Sequence, residues 1–335
     1  MPKKTSVAQK SPVQKVPPKK TAKKYYKIRN WKEYNQSLVN RGSLEFWIEH
    51  GMKVTVEVEV VDIDGKKKKT LGRPVKHSDA VIGFVLTLGT VFHQRLRQTE
   101  GLAQFVVQMA KLSWKVPDFT TLCRRRKTLP MQLPLKSKEH VVAILDSTGL
   151  KVYGEGEWKV RKHSYSKHRT WTKVHVSIDS DGEIRVVRTT ENSVDDATIG
   201  VQLVQAETAK VISVPADGAY DKAKMYTAIA AKGARALIPP RSNAKIWIHG
   251  NTKGTKHPRD ENLRAIRKTT RKQWKAQVGY HIRSGVENTI FRLKTIFTDE
   301  LHSRSLESQK REVFFRCSTL NLMTAQGMPD SYVVP

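Results

Sequence analysis

The spacing of apolar positions divides the chain into two regions of different character. From residue 138 onward, short apolar runs alternate with helical patterns. "EHVVAILDST" (139–148) is an apolar run closing on a carboxylate, and "VISVPADGAYD" (211–221) is another. Between them, "TWTKVHVSIDSDGEIRVVRTTE" (170–191) alternates apolar and polar residues on both sides of Asp181-Gly182, which predicts a hairpin. "DDATIGVQLVQAETA" and "KAKMYTAIAAKG" have helical periodicity, the second with a glycine stop, and "RALIPP" reads as a short strand. The predicted order is β-β-β-α-β-α-β, an α/β region. Residues 241–275 read as irregular and basic, and a helix over 280–294 follows.

Before residue 138 the patterns are mainly helical. "NWKEYNQSLVNRGSLEFWIEHG" (30–51) starts as helix and gives way to a strand-like "KVTVEVEVVDIDG" (53–65). Ser78 is placed to cap "DAVIGFVLTLGTVF", and "QTEGLAQFVVQMAKLS" (98–113) keeps helical spacing. Pro117-Asp118 then opens "FTTLCRRRKTL", a short helix bearing Arg124, Arg125 and Arg126. Helix, turn and basic helix together resemble a DNA-reading unit. Three adjacent arginines point in different directions, so only some can meet DNA, and a basic surface helix is the competing reading. The expected organisation is a disordered basic tail (1–24), a mostly helical DNA-binding or oligomerisation region (25–135), a catalytic α/β core (136–325) and a C-terminal tail (326–335).

Charge sharpens this picture. The chain has 335 residues with 61 Lys+Arg against 31 Asp+Glu, a net charge of +30. Such an excess repels itself unless a polyanion neutralises it, and nucleic acid is the natural partner. Residues 1–24 hold eight lysines and no acid, a composition that predicts disorder. The longest apolar run (80–92) has 13 residues, where a bilayer span needs about 20, and the N-terminus lacks the apolar stretch of a signal peptide. Cys123 and Cys317 lie too far apart in sequence to suggest a disulfide framework or a cysteine zinc site. A cytoplasmic, nucleoid-associated protein is expected.

The candidate chemistry lies in the acids. Asp146 and Asp217 each end an apolar strand, and ligand sites of α/β sheets form beyond strand carboxyl ends. Parallel neighbouring strands would bring the two together. On a helix turning about 100° per residue, Tyr280, Arg283, Glu287, Phe291 and Lys294 share a stripe about 80° wide. Glu287 would complete a cluster of three carboxylates whose repulsion divalent cations relieve; oxygen ligands suit Mg²⁺. Each acid also has a plainer reading, as turn former, helix cap or i,i+4 ion-pair partner. Asp179 and Asp181 bracket the hairpin turn, Asp195 or Asp196 caps a helix, and Asp221 is placed to support Asp217 or to start a helix. The basic stretch "KVRKHSYSKHRTWTKVH" (159–175) holds His163, His168 and His175 without a matching ligand pattern and reads as a DNA-tracking loop. Trp247 and Trp274 read as packing residues.

"LDSTGLKVYGEGEW", "TWTKVHVSID", "ADGAYD" and the spacing Tyr280-x2-Arg283-x3-Glu287-x6-Lys294 closely resemble bacterial insertion-sequence transposases of the DDE class. The closest likeness is to the IS-five family, related to the IS-four group with its Tyr-Arg-Glu-Lys signature, and it covers roughly residues 25–325. The resemblance implies an RNase H-like core with a mixed sheet, and Asp146, Asp217 and Glu287 as catalytic ligands of Mg²⁺, with two ions expected and Mn²⁺ able to substitute. It implies Tyr280, Arg283 and Lys294 as contacts to DNA near the cut; Arg124, Arg125 and Arg126 are expected as further DNA contacts from their basic helix, and a homodimer on double-stranded DNA is expected because both element ends must be joined. The implied activity is cleavage at the element ends and joining of 3′-hydroxyls to target DNA. A non-joining nuclease of the same fold and a catalytically silent DNA-binding repressor are the rival expectations.

Overall fold

The structure is a computed structural model that describes residues 25–48, 76–152, 171–248 and 256–334. The basic tail over 1–24, the strand expected at 53–65 and the basic loop with His163 and His168 lie outside the described residues.

A mixed α/β architecture is built around one long broken strand. β2 (His140–Val142) and β3 (Ile144–Val152) are separated only by Ala143, whose N–H donates to the Ser213 carbonyl at 2.9 Å. β3 pairs antiparallel with β4 (Trp171–Ile178), which pairs antiparallel with β5 (Ile184–Glu191). On its other side β2 pairs parallel with β6 (Lys210–Pro215), and β6 pairs parallel with β7 (Arg235–Leu237). The sheet therefore runs β5-β4-β3/β2-β6-β7, with antiparallel strands on one side and parallel ones on the other. This is the mixed sheet expected of an RNase H-like core.

Side chains two apart along a strand share a face, and the core follows that rule. Ile144 and Leu150 face one layer with Val174, Val176 and Ile178, while Ala143 and Leu145 face the other. The second layer is α5 (Asp196–Ala206) and α6 (Ala223–Ala231). The first layer is larger. It joins α9 (Ser284–Phe297) and α10 (Leu306–Gln326) to three helices from the N-terminal side, α2 (Asp79–Val91), α3 (Leu96–Met109) and α4 (Phe119–Arg126). These helices start as their sequences require: Ser78, Asp118 and Asp195 each accept a backbone N–H three residues on. Asp179 closes the β4–β5 turn by accepting from the amides of Asp181 and Glu183, with Gly182 at φ +79°.

Three features differ from the sequence reading. The stretch 241–275 is not irregular throughout: α7 (Pro258–Lys268) and α8 (Arg271–Gln277) occupy its second half. His257 caps α7, Pro258 starts it, and acids in the first turn and bases in the last complement its dipole. A two-residue strand, β8 (Glu300–Leu301), joins β3 in parallel after α9. Residues near both ends pair with each other, β1 (Tyr25–Ile28) running antiparallel to β9 (Ser331–Val334) beside α1 (Trp31–Gly42). Among the described residues no helix is long and apolar enough to cross a membrane.

Asn321 locks α10 to the sheet. Its carboxamide is buried, accepts the Ile184 N–H at 2.8 Å and donates to the Ile184 and Pro134 carbonyls. Asn321→Leu leaves these backbone groups unpaired in the core, so denaturant unfolding is expected to show a loss of about 2 kcal/mol or more despite the added apolar bulk.

Candidate active site

The strand register brings the two aspartates together. Val142 is opposite Ser213; four residues further along each chain stand Asp146 and Asp217. Asp146 lies two residues beyond Ile144 on β3, and so shares the sheet face covered by α9. Its Oδ1 accepts the Ser147 N–H at 2.9 Å. Asp217 follows the end of β6 and starts a 3₁₀ turn (Gly218–Tyr220) by accepting the Ala219 N–H at 2.8 Å. It is thus both strand terminus and cap.

Glu287 comes in on the first turn of α9, and its side chain is 60% exposed. Arg283 links it to Asp146. One guanidinium nitrogen meets Asp146 Oδ2 at 3.3 Å and the other hydrogen-bonds Glu287 Oε1. Burial pushes the Asp146 carboxyl above the ordinary carboxylate value. Arg283 and the Ser147 amide pull it down, and the charges of Asp217 and Glu287 push it up again. The three acids therefore sense one another, as a like-charge cluster must.

The stripe from 280 to 294 is not one regular helix. Tyr280–Arg283 form a 3₁₀ turn, and the α-helix begins at Ser284. The tighter turn rotates Tyr280 out of the stripe. Its ring is buried with Leu237 and Trp274, and its hydroxyl donates to the Ala216 carbonyl at 3.0 Å. Tyr280 thus fastens the start of α9 to the residue before Asp217. Burial first, then the nearby carboxylates against the opposing Arg283, raise its hydroxyl to about 12. Lys294 lies two turns beyond Glu287, where its charge helps hold Asp299 below its ordinary value, behind the larger effect of Lys151.

The three arginines of α4 do diverge. Arg124 is exposed, with Thr121 Oγ1 at 3.5 Å. Arg125 is engaged with Asp79 and the His77 carbonyl, and Arg126 turns inward to Ser303. Asp221 is not a support for Asp217: it is buried, bonded to Arg259 Nε at 2.8 Å and to Tyr226. It anchors the 241–277 segment. Trp274 is core, and Trp247 lies against the Arg259 guanidinium at 3.9 Å.

Sequence reasoning missed the layer behind Asp146. Asp196, read as a cap alternative to Asp195, faces β3 and β4. His175, buried, places Nδ1 3.3 Å from Asp196 Oδ1 and Nε2 2.9 Å from Thr190, and Lys173 pairs with Asp196 at 3.0 Å. Burial opposes ionisation of Asp196, but its polar neighbours His175, Ser147 and Lys173, the last hydrogen-bonded to Oδ2 at 3.1 Å, overcome it and bring its carboxyl down to about 2. Tyr220 is also fully buried here, its hydroxyl unpartnered and pushed up by burial and by Asp196, Asp146 and Asp217. The alternation in "TWTKVHVSID" gave Lys173 and His175 a common face, the one available signal.

A divalent cation fits this donor set. Carboxylate oxygens surround one positive charge, and the Arg283 guanidinium now stands in for it between Asp146 and Glu287. Among the described residues no three His, Cys, Asp or Glu side chains are gathered closely enough to hold an ion as they stand.

Two family models match the chain, both described as a transposase DDE domain, one over residues 39–155 and one over 137–322. Domains of this kind generally use divalent metal ions. The second match covers 186 of 335 residues and includes Asp146, Asp217 and Glu287. With the mixed sheet and the carboxylates at its edge, the chain belongs to the DDE transposases, enzymes that cut and transfer DNA strands.

Proposed function

We propose that the chain is an insertion-sequence transposase that binds the terminal inverted repeats of its element, cleaves at the ends and joins the exposed 3′-hydroxyls to target DNA. The observation that supports this most directly is the shared Arg283 contact to Asp146 and Glu287, with Asp217 one strand away. Asp146, Asp217 and Glu287 are the ligands for Mg²⁺, which Mn²⁺ can replace. Bound ions of this type lower the pKa of an attacking water or hydroxyl and offset charge at a phosphoryl centre.

The chain's own groups do the positioning. Asp146 is held by its strand and by the Ser147 amide, and Asp217 by its own cap bond. Were a metal ion to take over the carboxylates, Arg283 would be free to hold a phosphate of the cleaved strand, since its planar donor fork matches two phosphate oxygens. Lys294 adds charge along the same helix. Tyr280 acts through Ala216, keeping α9 in step with Asp217. The helical region before residue 135 reads DNA, two copies join the two element ends, and the protein works in the cytoplasm on the nucleoid. The likeness to the IS-five family belongs to this reading.

The test is a strand-transfer assay with labelled element-end DNA and a target plasmid. Metal-dependent nicking and joining are expected, each reduced by about three orders of magnitude in Asp146→Asn, Asp217→Asn and Glu287→Gln, the scale of losing several kcal/mol of charge stabilisation. Nicking without joining would make the chain a nuclease, and binding without either would make it a repressor. Thermal unfolding gives an independent check. In EDTA at neutral pH, Asp146→Asn is expected to melt above the wild type, because the buried carboxylate disfavours its own charge. Adding Mg²⁺ or Mn²⁺ should raise the wild-type midpoint and leave that of Asp146→Asn almost unmoved.

A further inference from the structure

A cavity of about 360 Å³ opens where the N-terminal helices meet the far end of the catalytic helix. Its walls come from the end of α2, the start of α3, Arg126 of α4, the end of α9 and the start of α10. Three guanidiniums line it, those of Arg95, Arg126 and Arg316, against one carboxylate, Glu312. Glu312 is committed: it accepts from Arg316 at 2.8 Å and from the amides of His302 and Ser303. The lining therefore carries excess positive charge. His93 and His302 also face the cavity, and both lie below the ordinary imidazole value, through burial first and then neighbouring arginines.

Two further observations mark the cavity as a place for a ligand. Arg126 reaches Ser303 Oγ only at 3.4 Å, a weak tether that leaves its charge without a carboxylate partner among the described ion pairs. Three residues other than glycine have positive φ among the described residues, and two of them, His93 (54°) and Thr298 (66°), line this cavity. Threonine is β-branched and resists that conformation, and strain of this kind is kept where surrounding structure or function demands it.

Position suggests the ligand. Thr298 follows Glu287 by eleven residues, about 16 Å along the helix, and eleven steps of about 100° return to nearly the same side. Lys294 lies between them. A DNA strand running from Glu287 along this face rises about 3.4 Å per base pair, so it meets the cavity about five base pairs from the cut. We propose that the cavity seats a phosphate of the DNA backbone at that distance. The proposal rests on the DNA-cleaving reading above and adds a contact to it.

The experiment measures binding of the full chain to duplex DNA in EDTA, as a function of salt, with circular dichroism to confirm folding. Arg126→Gln is expected to weaken binding about 5–10-fold on any sequence and to lower the slope of log affinity against log salt by about 1, the signature of one lost phosphate contact. Arg95→Gln should give a loss of the same kind, which keeps the test open if Arg126→Gln does not fold. Ser303→Ala removes the tether of Arg126 but no charge and should keep the slope. Unchanged affinity and slope in a folded Arg126→Gln protein, with the same result for Arg95→Gln, would overturn the proposal. Inorganic phosphate raising the melting point of the wild type but not of Arg126→Gln, with an unchanged DNA slope, would assign the cavity to free phosphate instead. A wild type that binds no duplex at all would remove the function proposed above along with this contact.

Discussion

Asp146 and Glu287 share one cation, Arg283, while Asp217 stands one strand away, and like charges so placed need such a countercharge. Arg283 sits at the junction of a 3₁₀ turn and an α-helix, where it reaches Asp146 on β3 and Glu287 one turn along. The rest of the site is arranged around this contact. The β2–β6 register sets Asp146 beside Asp217, and Tyr280 pins the helix to Ala216. Behind the strand, Asp196 draws its own cation from Lys173, with the His175 ring beside it. The acid pair at the edge and the single aspartate behind it thus occupy neighbouring positions with separate countercharges, Arg283 for the first and Lys173 for the second.

Much of this was legible from sequence because strands report their ends. An apolar run closing on Asp146, and a second closing on Asp217, gave both the sheet and its functional edge. The alternation around Asp181-Gly182 gave the hairpin, and Ser78, Asp118 and Asp195 gave helix starts. What stayed hidden depended on turn geometry or on distant partners. A uniform helix puts Tyr280 in the stripe with Glu287, and only a 3₁₀ turn, invisible to a period of 3.6, takes it into the core. Asp221 looked like a support for Asp217, because no sequence rule announces an arginine 38 residues away. Arg125 and Arg126 are bound by Asp79 and Ser303, contacts that likewise have no local signature. The helices at 258–277 were obscured by their own charge, since basic residues dominate their exposed faces.

The large first layer of the core changes how the N-terminal helices are understood. Leu86, Leu88 and Leu122 share one apolar cluster with Ile144, Val176 and Leu320. Helices fused in this way to the catalytic sheet cannot turn independently of it. Whatever they hold, they hold at a fixed distance from Asp146.

The pairing of β1 with β9 has a consequence for synthesis. Asn30 and Asp330 bond across 300 residues. At about 5–20 residues per second on a ribosome, the first strand waits roughly 15–60 s for its partner to be made. Through that interval Tyr25 and Tyr26 have no β9 to lie against, and the clasp can close only after every strand of the central sheet has been synthesised. Among the described residues it is the last strand pairing to become possible.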